Sequence, residues 1–438
     1  MASLKVIGGS GFIGRHVVAA LLNSGQQVDA PSQDEFDIAS GDPNAMAIRL
    51  AGAEVVINCA GLARDARRES LEGVNAEGAR RLALACRLAG VKRLIHISAL
   101  GAGVEDSTRF QRSKGEGETA LRRVGGVETV VVRPSMVLGA GGASGDFFSA
   151  LAALPVPPRL GEGRWRIQPI HVSELSELIV KLALDPHPPT QVDAVGPAPI
   201  TTDDLTRALR EWLGLKPMAL LAMPRQILKV FAWANEIVEM GPGDRELLDL
   251  LERGNVADPA SMTSALGRPP LSLAESLARQ PSTTADLWRA KLYFLQPLLR
   301  LTLAALWIGT GVVSFGLFPP DEFYVMLGEL GFSGPLAEVA LFGAAIVNLA
   351  LGGLLLVNWK PVRVAQAMLA LLIVFSAAAL MLPHEYWLTP FAPVLKNGPI
   401  AAALLALIGM ERPSRRTAQQ PFAVRARSDN ASAVANAH

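Results

Sequence analysis

The chain has 438 residues, half of them apolar and 18% charged, with a formal net charge of +1. That length accommodates two or three domains with cores of their own, and the near-balanced charge, with no basic stretch interleaved with aromatics, argues against nucleic acid as a partner. Cys59 and Cys86 are the only cysteines; they are too few for a disulfide framework and lack metal-ligand spacing, so they read as small buried residues in a reducing compartment and no metal is expected.

In chain order, "MASLKVIGGSG" contains no apolar core of signal-peptide length, which places the start of the chain inside the cell. "LKVIG" predicts a strand, "RHVVAALLNSG" a helix ending at Gly25, and "QQVDA" a second strand. Further on, "AEVVINCAG", "VKRLIHISA" and "VETVVVRPS" are uninterrupted β-branched runs separated by helical stretches such as "ARRLALACRLAG". Strands without polar alternation are buried on both faces, so the prediction is an α/β Rossmann-type domain, a doubly wound parallel sheet. Residues 1–150 are its nucleotide-binding core. Residues 151–285 are richer in proline and loops, with helical pattern near 203–214, 223–239 and 244–254, and supply the rest of the domain and a smaller substrate-side subdomain.

The charge deficit lies between about 295 and 410. "LLRLTLAALWIGTGVVSFGLF", "LAEVALFGAAIVNLALGGLLLV", "VRVAQAMLALLIVFSAAALML" and "FAPVLKNGPIAAALLALIGM" each approach the ~20 residues that cross a bilayer. Four such runs favour spans over buried core helices. Arg289, Lys291 and Arg300 precede or open the first run, Lys360 and Arg363 separate the second from the third, and Arg412, Arg415 and Arg416 follow the fourth. Asp321, Glu322 and Glu329 follow the first instead. Positive residues favour the cytoplasmic side, so residues 297–410 are expected to form a four-helix transmembrane bundle in the inner membrane, with the soluble domain and both termini in the cytoplasm. The tail 411–438 is polar and low in aromatics, the composition of a disordered segment.

"KVIGGSGFIGRH" sets Gly8, Gly11 and Gly14 between the first strand and the first helix. Such a turn lets the backbone approach a pyrophosphate, whose charge then sits at the positive end of the helix. Together with "EVVINCAG", "VKRLIHISALGA", "SKGEGE" and "VVVRPSMVLGAGG", in that order, it resembles the short-chain dehydrogenase/reductase superfamily in its extended and atypical, epimerase/dehydratase-like branches, over residues 4 to about 278. "QPIHVSEL" and "GNVADPASMTSALGRPPLSLAESL" are similar to the nucleotide-binding accessory subunit of respiratory complex I and its bacterial relatives. The resemblance implies NAD or NADP as cofactor, held by Gly8, Gly11, Phe12, Ile13, Gly14 and Arg15 at the loop, by Asn58, Ala60 and Gly61 beside it, and by Asp37 and Ile38 around the adenine. Ser32 and Gln33, after the second strand, are neither the acid that selects NAD nor the arginine that selects NADP, and Asp29 comes early, so the choice stays open.

The resemblance also implies a catalytic Ser98 and Lys114, with a tyrosine one helical turn before the lysine. In the superfamily that tyrosine gives or takes a proton, the lysine lowers its pKa and holds the cofactor ribose, and the serine orients the substrate carbonyl. Here the tyrosine position is Phe110, and Tyr293, Tyr324 and Tyr386 all lie at or inside the membrane portion. Water, Ser98, Glu105 or Asp106 are the remaining proton sources, while His171 and Arg133 read as structural.

Residues 297–410 resemble the DoxX-like membrane family, with Arg300 and Trp307 entering the first span; that family is linked in general terms to respiratory and quinone-associated redox systems. Arg300 and Lys396 read as anchors that snorkel to the interface. Two functions follow. One is a membrane-anchored oxidoreductase-like protein meeting an apolar quinone- or lipid-like substrate at the bilayer; the other is a non-catalytic nucleotide sensor or assembly factor of a respiratory complex. A transporter built on the spans has no motif of its own. The stretch "RQILKVFAWANEIV" places Phe231 and Trp233 either on the membrane or, by preference, inside the subdomain.

Overall fold

A computed structural model describes residues 3–65, 69–103, 107–238, 243–317, 320–383 and 394–411. In the first half, β1 (Leu4–Ile7), α1 (Phe12–Asn23), β2 (Val28–Asp29), α2 (Pro43–Leu50), β3 (Val55–Asn58), α3 (Ala79–Leu88), β4 (Arg93–Ile97), α4 (Arg109–Val124) and β5 (Glu128–Pro134) alternate as expected. They continue into β6 (Val137–Leu138), α5 (Ala143–Ala153), β7 (Pro158–Arg159), β8 (Arg166–Ile167), β9 (Ile170–His171), α6 (Val172–Leu184) and β10 (Gln191–Ala194). The main sheet runs β10-β5-β4-β3-β1-β2 with every neighbouring pair parallel.

The apolar runs have no polar alternation because both faces of the sheet are covered. Leu4, Val6, Val55, Ile57, Ile95 and Ile97 pack under α1 and α6, whereas Ile7, Val56 and Leu94 face α2, α3 and α4. Burying each such side chain contributes about 1.5–3 kcal/mol. The chain winds outward from β1 to β2 and then reverses to β3 on the other side of β1, so a crevice opens beyond the carboxyl ends of β1 and β3, where ligands of such sheets bind. The register sets Ile7 level with Asn58, and Asn58 level with His96, so these three strand ends form one floor.

After β10 come α7 (Thr202–Trp212), α8 (Arg225–Val238), α9 (Arg245–Arg253), α10 (Ala260–Leu266) and α11 (Leu273–Arg279). Phe148 and Leu151 of α5, Leu205 and Leu209 of α7, Leu228 of α8 and Leu248 and Leu251 of α9 share one core, the smaller subdomain. The α8 helix departs from the preferred sequence reading. Leu228 and Ala232 face the subdomain, but Phe231 is 59% and Trp233 53% exposed.

The membrane portion comprises α12 (Thr284–Leu292), α13 (Leu295–Val312), α14 (Pro320–Glu329), α15 (Pro335–Leu356), α16 (Pro361–Met381) and the helix Asn397–Met410. Three described helical segments are long and apolar enough to cross a membrane, Thr284–Phe315, Pro335–Leu356 and Pro361–Met381. The fourth expected span is described over Asn397–Met410 alone. α13 packs on α15, α15 on α16, and α16 on Asn397–Met410, which returns to α13, so the four close a ring around a common core. Glycines allow the tight α13–α15 approach: a Cβ on Gly311 would stand 2.9 Å from the Ala345 carbonyl, and one on Gly352 3.0 Å from that of Ala304. Arg300 does not snorkel as expected. It is 6% exposed, buried in the bundle with Trp307 and Asn348, whereas Lys396 is exposed at the start of the last helix. Glu105, Asp106, His384, Tyr386, Arg412, Arg415, Arg416 and the remaining tail lie outside the described residues.

Candidate functional site

The glycine loop is built by exclusion of side chains. Gly8 has φ +76°, and a Cβ there would lie 2.6 Å from the backbone nitrogen of Ala60; on Gly14 it would meet the Gly8 carbonyl at 2.1 Å. These two glycines let β1, β3 and α1 close on one another. Gly11 differs. It is exposed, its N–H bonds the Gly8 carbonyl at 3.0 Å, and it starts α1 without a side-chain cap, leaving first-turn N–H groups for an anion. Phe12 and Ile13 are half-buried in that first turn. Arg15 donates to the Ala140 carbonyl at 2.7 Å with its guanidinium 5.7 Å from the Phe12 ring, which ties the loop after β6 to the glycine turn.

Around this loop the other expected contacts divide into two groups. Ala60 and Gly61 follow β3 and border the crevice. Asn58 is 1% exposed and braces them from below: its amide bonds His96 Nδ1 at 3.0 Å and its carbonyl oxygen accepts the Ala60 N–H at 3.1 Å. Burial pushes the His96 imidazole down to about 3, so it is neutral. Asp37 folds its carboxylate onto the Ala39 N–H at 2.8 Å and the Ser40 hydroxyl, and Ile38 is buried against Gly78. Ser32 bonds the Glu35 carboxylate at 2.9 Å, and Asp29 pairs with Lys5 at 2.9 Å.

α4 carries the second part of the site. Thr108 and Gln111 form a capping box at its start. A Cβ on Gly117 would lie 2.2 Å from the Asn75 carbonyl, so the small residues of "KGEGE" let the helix press onto the turn Gly73–Gly78. Asn75 holds that arrangement together, donating to the Leu62 carbonyl at 2.8 Å and the Ser113 hydroxyl at 2.9 Å while accepting the Leu62 N–H at 2.9 Å. Lys114 is 6% exposed; its ammonium donates to the Ile97 carbonyl at 3.0 Å and stands 2.5 Å from where a Gly61 side chain would begin. Desolvation lowers its pKa to about 8, and its charge opposes the burial that raises the Cys59 thiol to about 12.

Ser98 and Phe110 are placed differently from a proton relay. Ser98 is 4% exposed and donates to Glu118 at 2.6 Å, and the same carboxylate accepts two bonds from Arg133 at 2.8 and 2.6 Å. Phe110 is half-buried, and its N–H donates to the Glu246 carboxylate of α9. Tyr293 packs on Phe147 and Phe294, with ring centroids 6.2 and 5.0 Å away, at the root of the first span. His171 caps α6, accepting the Ser173 N–H, as a structural residue would. Asn75, Glu118 and Glu246 escaped sequence reading. Glu118 carries the only available signal, since it lies one turn beyond Lys114 on the same helix face.

A parallel Rossmann sheet with this glycine turn, followed by an apolar helical bundle, defines a nucleotide-binding domain of the short-chain dehydrogenase type joined to a membrane domain. Residues 4–190 match the NAD dependent epimerase/dehydratase family, and residues 304–405 match the DoxX-like family. The chain is 27% identical over 277 residues to NADH dehydrogenase [ubiquinone] 1 alpha subcomplex subunit 9, mitochondrial, of Mus musculus, covering 58% of this chain and 71% of that protein. It is 32% identical to the ceramide reductase of Caulobacter vibrioides, covering 42% of this chain and 61% of the reductase. Among solved structures, the UDP-glucose 4-epimerase of Thermus thermophilus complexed with NAD superposes with a TM-score of 0.46 at 20% identity, covering 63% of this chain and 96% of that one.

The residues present fit a nicotinamide dinucleotide. Gly11 leaves an open backbone surface at the helix start for the pyrophosphate, and Lys114 is a buried cation beside Gly61 with hydrogen-bonding capacity for a ribose diol.

Proposed function

We propose that this protein is a membrane-anchored, NAD(P)-binding oxidoreductase of the short-chain dehydrogenase type that meets an apolar, membrane-resident carbonyl or quinone-like substrate and works without the usual tyrosine. One observation carries this reading: the substrate-side subdomain and the first span belong to one packed unit, because Phe294 immediately before α13 packs on the core that holds α5 and α9. An apolar substrate partitions into the bilayer, so a site held at its surface encounters that substrate more often. The similarity to a ceramide reductase supports a lipid substrate. Lys360 and Arg363 between α15 and α16, and Arg289 and Lys291 before α13, support a cytoplasmic soluble domain in an inner membrane.

In this reading the glycine turn binds the pyrophosphate and Lys114 orients the ribose. A nicotinamide held there would supply hydride chemistry toward the substrate's carbonyl carbon. The proton for the substrate oxygen would come from water, since residue 110 offers no hydroxyl. Ser98 turns to the substrate only by giving up its bond to Glu118.

That bond favours a second reading, a nucleotide-binding sensor or accessory protein of a respiratory complex, which the complex I relatives also support. The test is the full chain in lipid nanodiscs, titrated with NADH and NADPH and then supplied with a lipophilic quinone or a long-chain aldehyde. Binding with turnover supports the oxidoreductase, and binding without turnover supports the sensor. No saturable binding of either nucleotide rejects both.

A further inference from the structure

α8 is apolar on two sides, and only one of them is covered by the described residues. Leu228, Ala232 and Asn235 are 8%, 4% and 7% exposed and line the subdomain side. Ile227, Val230 and Phe231, also at helical spacing, are 45%, 63% and 59% exposed, and Trp233 beside them is 53% exposed. Monomeric soluble proteins rarely leave such a stripe in water. Exposed Lys229 borders the stripe and, with Arg245, Trp233 and Leu248, lines an open groove of about 410 Å³ between α8 and α9.

The position of α8 identifies what covers it. Leu228 of α8 shares its core with Phe148 of α5 and, through Phe147, with Phe294 at the start of α13. A Cβ on Gly243, just before α9, would stand 2.7 Å from the Phe147 ring. The α8–α9 hairpin therefore flanks the point where the chain turns into its first span, and the surface of this chain's own bilayer lies there. An apolar stripe with aromatic residues and interleaved basic side chains is the pattern of a helix lying in a membrane interface.

We propose that α8 lies in the interface of the bilayer that holds α13, α15 and α16, with Ile227, Val230, Phe231 and Trp233 set among the upper acyl-chain segments and Lys229 at the headgroups. α9 then links that surface to the site, because Glu246 accepts the N–H of Phe110. The hairpin is the route by which a lipid-like substrate leaves the bilayer for the crevice; this second clause rests on the oxidoreductase reading, whereas the membrane contact of α8 does not.

The test uses the full chain in nanodiscs made with ordinary or acyl-brominated phosphatidylcholine and phosphatidylglycerol. Subtracting the emission of Trp233→Phe from that of the parent isolates Trp233 among the seven tryptophans. Interfacial burial quenches this component by about half or more in brominated lipid, as expected for a side chain ~5–10 Å below the headgroups. A component unaffected by bromine, as in water or against a second copy of the chain or another protein, overturns the proposal. For the route, Val230→Ser/Phe231→Ser raises KM for a membrane-dissolved substrate by about tenfold, with NAD(P)H affinity unchanged. An unchanged KM overturns the route. A chain that turns over nothing but still shows the quenching refutes the oxidoreductase reading and leaves the interfacial helix standing.

Discussion

The two halves of the crevice differ in what they offer a ligand. At the nucleotide end each constraint of the turn is met: Gly8 and Gly14 are backed by atoms that forbid a Cβ, and Lys114 is held rigidly beside Gly61. At the proton-transfer end the hydroxyl at position 110 is absent and the hydroxyl of Ser98 is committed to Glu118. Binding and acid–base chemistry are thus separable in this fold. The first needs backbone shape and a buried cation, both of which are present beside Phe110; the second needs a titratable proton within reach.

The largest effect should come from placing a hydroxyl at position 110. Phe110→Tyr is expected to raise turnover of a carbonyl or quinone substrate by about 10²- to 10⁴-fold, with nucleotide affinity unchanged. Steady-state NAD(P)H oxidation by the full chain in nanodiscs measures this, and parent and variant turning over equally fast would show that another proton donor already serves.

Next is the carboxylate that holds Ser98. Glu118→Gln removes the charge opposite Arg133 and leaves the guanidinium short of its partner, at a cost of about 2–3 kcal/mol in stability. Chemical denaturation of the soluble domain within the intact protein checks it; a loss below ~0.5 kcal/mol would mean that the pair is solvated and Ser98 free to face substrate.

A smaller change is expected from Lys114→Met. Nucleotide affinity should fall about 10- to 100-fold through loss of the ribose contact, while stability holds or rises, because a buried ammonium is removed. A variant that unfolds instead would assign Lys114 a structural role through Ile97.

The smallest effect is the pH dependence of the same group. Lys114 titrates near 8 in the folded chain, below its ordinary value. Between those two values the unfolded chain binds more protons, so stability rises with pH across that window, and below pH 8 the fold carries the full cost of the buried charge. Nucleotide affinity runs the other way, falling as pH passes about 8 and the ammonium is lost. Calorimetric titrations at about pH 7 and about pH 9, on either side of that value, separate the two, and a flat profile would place the ribose on other groups.

Much of the fold was legible in the sequence because its signals are local. The runs "VVIN" and "RLIHI" could be buried only in a two-sided parallel sheet, and the long apolar stretches after 295 were long enough to span. What was illegible depends on partners distant in sequence. No periodicity in "RQILKVFAWANEIV" says which of its two apolar stripes meets the subdomain, and the structure covers Leu228 while leaving Phe231 bare. Arg300 near a helix end resembled an interfacial anchor, yet the packing of α13 against α15 and the last helix buries it. Ser98 had the position of a catalytic serine, but Glu118, 20 residues away, engages its hydroxyl.

The most direct test of a competent nucleotide half beside an altered proton-transfer half is the binding isotherm of NADH and NADPH on the intact, membrane-embedded chain, measured in parallel with Lys114→Met. Saturable binding of at least one nucleotide, weakened in the variant, is the expected result. No saturable binding of either to the parent chain would contradict it.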